Sequence, residues 1–310
     1  MASSAFQHSA FLYDGADQFC DGVLSFVRSG LGADEAVLVA VTEDKAAPLR
    51  AELGADAERV CFVDMAEVGR NPARIIPAWR DWVGEHTGVR GFRGVGEPAW
   101  PGRSAEELTE CAHHESLLNL VFDGLASWQL MCPYDVSGLD PEVIDTALAN
   151  HPYLAAEVNT GYREPEPLAL LAQSLPEPTG PVEQYRFDAG RLAGARQVVV
   201  RLATEAGARQ ELAEDLALAV HEAAMNSVDH GGGQGVLRIW QDGGQLVCEV
   251  RDSGWLTDPL VGRARPTLGQ ARGRGMWMIH QLCDLVQLRS SERDGTLVRL
   301  RVTTDVQPHP

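Results

Sequence analysis

Glu222, Asn226 and His230 recur at four-residue spacing. The surrounding segment, 209–230, has helical periodicity, so the three share one face, while Leu216, Val220, Ala223 and Ser227 fall on another. A carboxylate can take a proton, a carboxamide oxygen can ligate a hard cation, and an imidazole can exchange protons near neutral pH. Asparagine inside a helix has poor intrinsic propensity, which suggests a task for it. A solvated polar stripe on an amphipathic helix would carry the same residues, so the neighbours must decide. Arg251-Asp252-Ser253-Gly254 ends a strand with an acceptor-only carboxylate and, two residues on, a residue without Cβ, a combination suited to a flat ligand. Next comes LTDPLVGRARPTLGQARGRG, a loop of about 20 residues rich in Gly, Pro and Arg, the length and composition of a functional lid. It closes on Gly273-Arg274-Gly275 and leads into the helical run MWMIHQLCDL, whose first amides and positive dipole end would cradle an anion.

These groups need a scaffold. Segments 190–206 and 209–230 predict helices, and 236–240, 245–252, 285–289 and 296–302 predict strands. In the last, Val298, Leu300 and Val302 face one way and Arg299 and Arg301 the other, the pattern of a sheet with one solvated face. Helices on one side of a largely antiparallel sheet make an α+β two-layer sandwich. Before it, Glu164–Gln184 carries Pro165, Pro167, Pro176, Pro178 and Pro181, so no regular element is expected there, and 164–184 reads as a linker between residues 1–163 and 185–310. In the first part, apolar runs at 36–41, 59–65 and 128–132 alternate with helical patterns at 16–29, 43–53, 72–86 and 104–123. That alternation predicts a mainly parallel α/β sheet. It contains no Walker A loop: Lys45 is the sole lysine and follows AVTED, without glycine, and Gly91, Gly94 and Gly96 do not form a dinucleotide fingerprint.

With 310 residues, 45% hydrophobic and 23% charged, the chain can bury two cores. Its net charge of −18 lies entirely in residues 1–185, with 29 acidic against 11 basic groups, while 186–310 balance at 15 each. An acidic first half repels a phosphate backbone, so direct nucleic-acid binding is not expected. Neither a spanning apolar run nor a signal peptide is visible, and the expected location is cytoplasmic with no membrane association. Cys20, Cys61, Cys111, Cys132, Cys248 and Cys283 are scattered, without disulfide or zinc-finger spacing.

The order E-x-x-x-N-x-x-x-H (222–230), D-x-G (252–254), a lid closing on G-x-G (273–275), and Gly295-Thr296 entering the last strand resembles the GHKL ATP-binding domain of gyrase, the heat-shock chaperone, histidine kinases and mismatch-repair ATPases. Being compact and without a transducer, it looks most like the anti-sigma-factor serine/threonine kinases. The resemblance implies ATP and magnesium as cofactors, with Glu222 as general base and Asn226 on the magnesium. Asp252 would accept from the adenine amino group, Gly254 would allow close approach, Gly273 and Gly275 would meet the phosphates, and Thr296 would help at the adenine. Arg274 either contacts phosphate or is solvated. The implied partners are a sigma factor and a STAS-type anti-sigma-factor antagonist, with a homodimer expected and a role in stress-responsive transcription regulation.

The runs at 8–19, 113–122, 132–143 and 150–154 are similar to the MEDS sensory domain, implying a RecA-like layer without Walker motifs. His8, His114, Glu115 and Cys132 are the candidate sensory residues. Cys132, closing a strand, is either a sensor thiol or a structural one. Two rival functions remain: a binding-only nucleotide switch, and a sensor histidine kinase in which His114-Glu115 imitates an H-box.

Overall fold

The computed structural model describes residues 6–122, 127–164, 166–267 and 273–304. The chain divides into two compact units, residues 1–165 and 166–310.

The first unit runs β1 (Gln7–Tyr13), α1 (Gly15–Gly32), β2 (Ala36–Val41), α2 (Glu43–Leu53), β3 (Val60–Asp64), α3 (Met65–Val68), α4 (Ile75–Glu85), β4 (Phe92–Gly96), α5 (Ala105–Val121), β5 (Trp128–Asp135), α6 (Pro141–Asn150), β6 (Tyr153–Leu154) and β7 (Glu157–Val158). Its sheet has the order β3-β2-β4-β5-β1-β6-β7, parallel up to β6, with β7 antiparallel to it. The mostly parallel α/β sheet is therefore as expected. AVLVAV of β2 is buried almost throughout, as a strand covered on both faces must be. One core joins Val23 and Val27 of α1, Leu49 of α2, and Val37, Val39 and Val41 of β2. Gly94 and Gly96 of β4 let the Trp79 ring of α4 lie against the strand: a Cβ at either would come within 3.0–3.2 Å of it. The expected helix at 72–86 opens instead as a 3-10 turn at Pro72–Arg74, because Pro72 follows the Asn71 cap. Helix α5 begins at a capping box, Ser104 and Glu107 satisfying each other's backbone amides.

The second unit runs α7 (Pro167–Leu171), β8 (Glu183–Asp188), α8 (Leu192–Glu205), α9 (Gln210–His230), β9 (Gln234–Asp242), β10 (Gln245–Asp252), α10 (Arg274–Leu282), β11 (Leu285–Ser291) and β12 (Gly295–Thr303). The sheet is wholly antiparallel, in the order β11-β12-β10-β9-β8. Val199 of α8, Leu216 and Val220 of α9 and Ile279 of α10 pack on Leu237, Cys248, Val250 and Leu300 of the sheet. This is the expected two-layer α+β sandwich. No helix among the described residues is long and apolar enough to cross a membrane.

Two expectations need correction. The proline-rich stretch contains α7, because Pro167 occupies a first-turn position that needs no amide donor, and Leu171 is buried in the core. The arginine face of β12 is not solvated either: Arg299 is 2% exposed and Arg301 7%. Arg301 donates to Asp242 and Gln245, and Arg299 is held by Glu249 of β10, opposite it in the ladder and fully buried. Glu249 Oε2 accepts from Arg299 Nε and Nη2 at 2.9 and 2.6 Å, and its Oε1 from Arg238 and Arg251 at 2.7 and 2.6 Å. Glu177 pairs with the outer ends of Arg238 and Arg251, and the Pro176 carbonyl accepts from Arg299.

Removing a buried charge that compensates several others is costly. Glu249→Ala should therefore lose about 3–5 kcal/mol in urea or guanidinium unfolding, whereas Glu177→Ala, at an exposed carboxylate, should lose no more than about 1 kcal/mol. Equal losses would contradict the burial difference.

Candidate functional site

In the second unit, the site is assembled where the end of α9, the end of β10, the start of α10 and the start of β12 meet. Asp252 is half-buried and held from two sides. Its Oδ2 accepts from Ser227 Oγ of α9 at 2.6 Å and its Oδ1 from the Gly254 amide at 2.7 Å. An ionised carboxylate has about four acceptor positions, so lone pairs remain for an exocyclic amine. Ser227, placed by periodicity on the face of α9 that also carries Leu216, Val220 and Ala223, is thus a positioning residue. The signal that could have found it is a hydroxyl on an otherwise apolar helix face.

Thr296 lies opposite Asp252 in the β10–β12 ladder. Its hydroxyl donates to the Gly254 carbonyl at 3.0 Å and stands 2.9 Å from Ser290 Oγ, which in turn accepts from the Leu256 amide. Thr296 therefore fixes the turn after Asp252. Gly254 has a tighter role than expected: a Cβ there would come within 2.9 Å of the Gly231 Cα and the His230 carbonyl. Its missing side chain lets β10 touch the end of α9, apart from any ligand. Gly295 has φ +77°, and a Cβ on it would collide with the Asp252 carbonyl.

Gly273, the residue that caps the start of α10, has a left-handed φ of +85°. In the first turn of α10, Gly275 faces α9 so closely that a Cβ would lie 2.8 Å from Glu222 Oε2, 3.4 Å from Asn226 Nδ2 and 3.6 Å from Asn226 Oδ1. An acid, an amide and the positive end of a helix are thereby brought together. Glu222 and Asn226 are half-buried, whereas His230 is exposed at the end of α9. Arg274 is exposed, and its guanidinium donates to the Thr267 carbonyl at 3.4 Å. Of the lid, residues 268–272 lie outside the described residues, and 255–267 form neither helix nor strand. A nucleotide with magnesium fits this donor set: a carboxylate with lone pairs left, a carboxamide oxygen, and a glycine-flanked helix start.

In the first unit, three of the four candidate sensory residues come together. His8 Nε2 is 2.8 Å from Glu115 Oε2 and 3.3 Å from Cys132 Sγ, and Cys132 Sγ is 3.5 Å from the same oxygen. The fourth position is taken by His151, whose Nε2 is 3.3 Å from Glu115 Oε2 and whose ring centroid is 4.0 Å from that of His8. His114 is outside this group. It is 1% exposed within α5, so it is not presented as a phosphoryl-accepting histidine must be, and the H-box reading fails. Burial, reinforced by the Glu115 carboxylate, pushes the Cys132 thiol well above its usual range, which removes it as a freely reactive thiol. Burial and neighbouring His151 lower the pKa of His8.

Residues 7–152 match the MEDS family, the methanogen/methylotroph, DcmR sensory domain, and residues 185–302 match the histidine kinase-like ATPase domain. No curated protein matches the chain. Among solved structures, the RsbU and RsbW domains of Rv1364c from Mycobacterium tuberculosis align at 20% identity with a TM-score of 0.31, over 40% of this chain and 33% of that one. The chain thus spans about a third of that relative's length. The protein joins a MEDS sensory domain to a histidine kinase-like ATPase domain of the GHKL type.

Proposed function

We propose that this protein is an ATP-dependent serine/threonine kinase of the anti-sigma-factor type, which binds a sigma factor and phosphorylates a STAS-type antagonist under control of its MEDS domain. The observation that carries the reading is the seat of Gly275 against Glu222 and Asn226. In it a carboxylate, a carboxamide and the N-terminal turn of a helix lie side by side, the groups that a base, a metal ligand and a phosphate cradle would need.

Asp252 would accept from the adenine amino group, kept in place by Ser227 and Gly254, while Thr296 holds the turn beside the base. The amides of Gly273 and Gly275 at the start of α10 would receive the phosphates, and Asn226 Oδ1 would hold magnesium. Bound magnesium supplies charge neutralisation at the phosphates. Glu222 would take the proton from the attacking serine or threonine hydroxyl as it approaches the phosphate end of the groove. A cytoplasmic homodimer with sigma factor and antagonist as alternating partners completes the reading. Transfer of labelled γ-phosphate from ATP to a purified antagonist, giving acid-stable phosphate, tests it; nucleotide binding without transfer would leave a binding-only switch.

Three substitutions separate the roles. Asp252→Asn replaces an acceptor with a group that can present an amide donor, and should weaken ATP binding by about 1–3 kcal/mol, roughly 5- to 150-fold in Kd by calorimetry. Asn226→Ala should lower transfer roughly a hundredfold or more while changing Kd by less than about tenfold, because a positioning ligand acts mainly on the transferring group. Ser227→Ala leaves Asp252 without its inner donor and should raise the Kd for ATP with circular dichroism unchanged. Unaltered affinity would show that Gly254 alone suffices to place the carboxylate.

A further inference from the structure

The cluster in the first unit has donors that do not match one another. His8, Glu115, Cys132 and His151 are at most 1% exposed, and one ligand atom from each lies within 4.8 Å of the others. Their protonation can be read from what surrounds them. Asn119 Nδ2 donates to the Asn150 carbonyl at 2.9 Å, which orients the amide and makes Asn119 Oδ1 the acceptor facing His8 Nδ1 at 3.0 Å. His8 Nδ1 is therefore the protonated nitrogen. His151 Nδ1 lies 2.7 Å from the Ala147 carbonyl, which can only accept, so the same holds there. Both neutral rings then present an Nε2 lone pair to Glu115 Oε2, itself an acceptor. His151 Nε2 and Glu115 Oε1 are also buried without a hydrogen-bond partner.

Protons repair this poorly. One imidazolium would satisfy one nitrogen and leave the other lone pair against the carboxylate. Two would leave a net positive charge in a sealed site, which is expensive. A divalent cation ligated by a thiolate and a carboxylate is neutral, and it turns every mismatched acceptor into a ligand. The remaining detail fits too: each imidazole gives its other N–H to an amide or backbone carbonyl, the outer contact that fixes metal-binding histidines.

We propose that His8 Nε2, His151 Nε2, Glu115 Oε2 and Cys132 Sγ bind one divalent transition-metal ion of the zinc class inside the sensory domain. Two nitrogens, one oxygen and one sulfur form a borderline-soft tetrahedral set. Metal–ligand bonds of about 2.0–2.3 Å set ligand separations of about 3.3–3.8 Å; four of the six separations are 2.8 to 3.5 Å and need to change by no more than about half an ångström, and the other two lie within 4.8 Å. The ligands come from β1, α5, β5 and the residue after α6, so the ion would tie together two adjacent central strands and the helices over them. Binding ionises the Cys132 thiol, its proton passing to solvent. This site is separate from the ATP groove and stands whether or not the chain transfers phosphate.

The test uses the tag-free full-length protein. Elemental analysis after purification without chelator should give one zinc per chain. Exchange into Co2+ should yield tetrahedral ligand-field bands with a thiolate-to-cobalt charge-transfer band. Cys132→Ser should abolish that band, His151→Gln should weaken Co2+ binding at least tenfold, and Cys61→Ser, at an exposed thiol outside the cluster, should leave both unchanged. Near-ultraviolet circular dichroism, to which the packed Trp79, Trp82 and Trp128 of the first unit contribute, provides an independent check that the variants fold. A wild-type chain that neither retains a transition metal nor develops the charge-transfer band overturns the proposal. So does a band that persists in Cys132→Ser.

Discussion

Asp252 is gripped between a helix and the strand that carries it, and the geometry of the ATPase domain depends on that grip. Ser227 reaches it from α9, the Gly254 amide closes from the following turn, and the bare Cα of Gly231 passes where a side chain would strike its carboxylate. Three small residues thus bring the end of α9 into contact with the end of β10. Once that contact is made, the face of α9 bearing Glu222 and Asn226 is set relative to Asp252, and α10 needs only Gly275 to lie against it. The motif residues are chemical groups; Ser227, Gly231 and Gly295 make their separations reproducible.

The ATPase half was largely legible because its signals are local. Period-2 and period-3.6 patterns placed α8, α9, β9, β10, β11 and β12 to within a few residues, and the ordered motifs fall at their ends. What escaped was pairwise. Periodicity puts Ser227 on the face with Leu216, Val220 and Ala223, where it is buried, but a helical pattern says nothing of which carboxylate arrives opposite. Arg299 was expected in water because alternation reports only which face a residue takes; that Glu249 occupies the same face of the next strand depends on register. In the first half, β1 and β4 gave no clear signal: QHSAFLY mixes polar and apolar residues, and FRGVG carries two glycines that exist to admit Trp79. His151 carries no local signal either. It lies 143 positions from His8 in sequence, and only the fold brings the two rings to 4.0 Å.

The stretch after Pro165 has a mechanical consequence. Its prolines suggest a spacer, yet Leu171 is buried in the second core and Glu177 pairs with Arg238 and Arg251. Those two exposed-end pairs contribute little energy individually, but they are attached to Glu249, which is not exposed at all. Arg251 also precedes Asp252 on β10. Residues 171–177 are thus tied, through Glu177 and Arg251, to the strand that carries Asp252.

Two buried carboxylates show how differently the same electrostatic problem is solved in the two units. Glu249 has three guanidiniums around it, every one permanently charged, with the hydrogen bonds to both oxygens in place. Both carboxylate oxygens are thus satisfied from within the protein. Glu115 is just as buried, but its neighbours are two imidazoles and a thiol, groups whose charge is optional and whose tautomers are already committed elsewhere by Asn119 and the Ala147 carbonyl. One of its oxygens accepts nothing. A domain that folded around Glu249 could have supplied an arginine to Glu115 as well; the residues there are ligands instead, and what they are short of is positive charge without a proton attached.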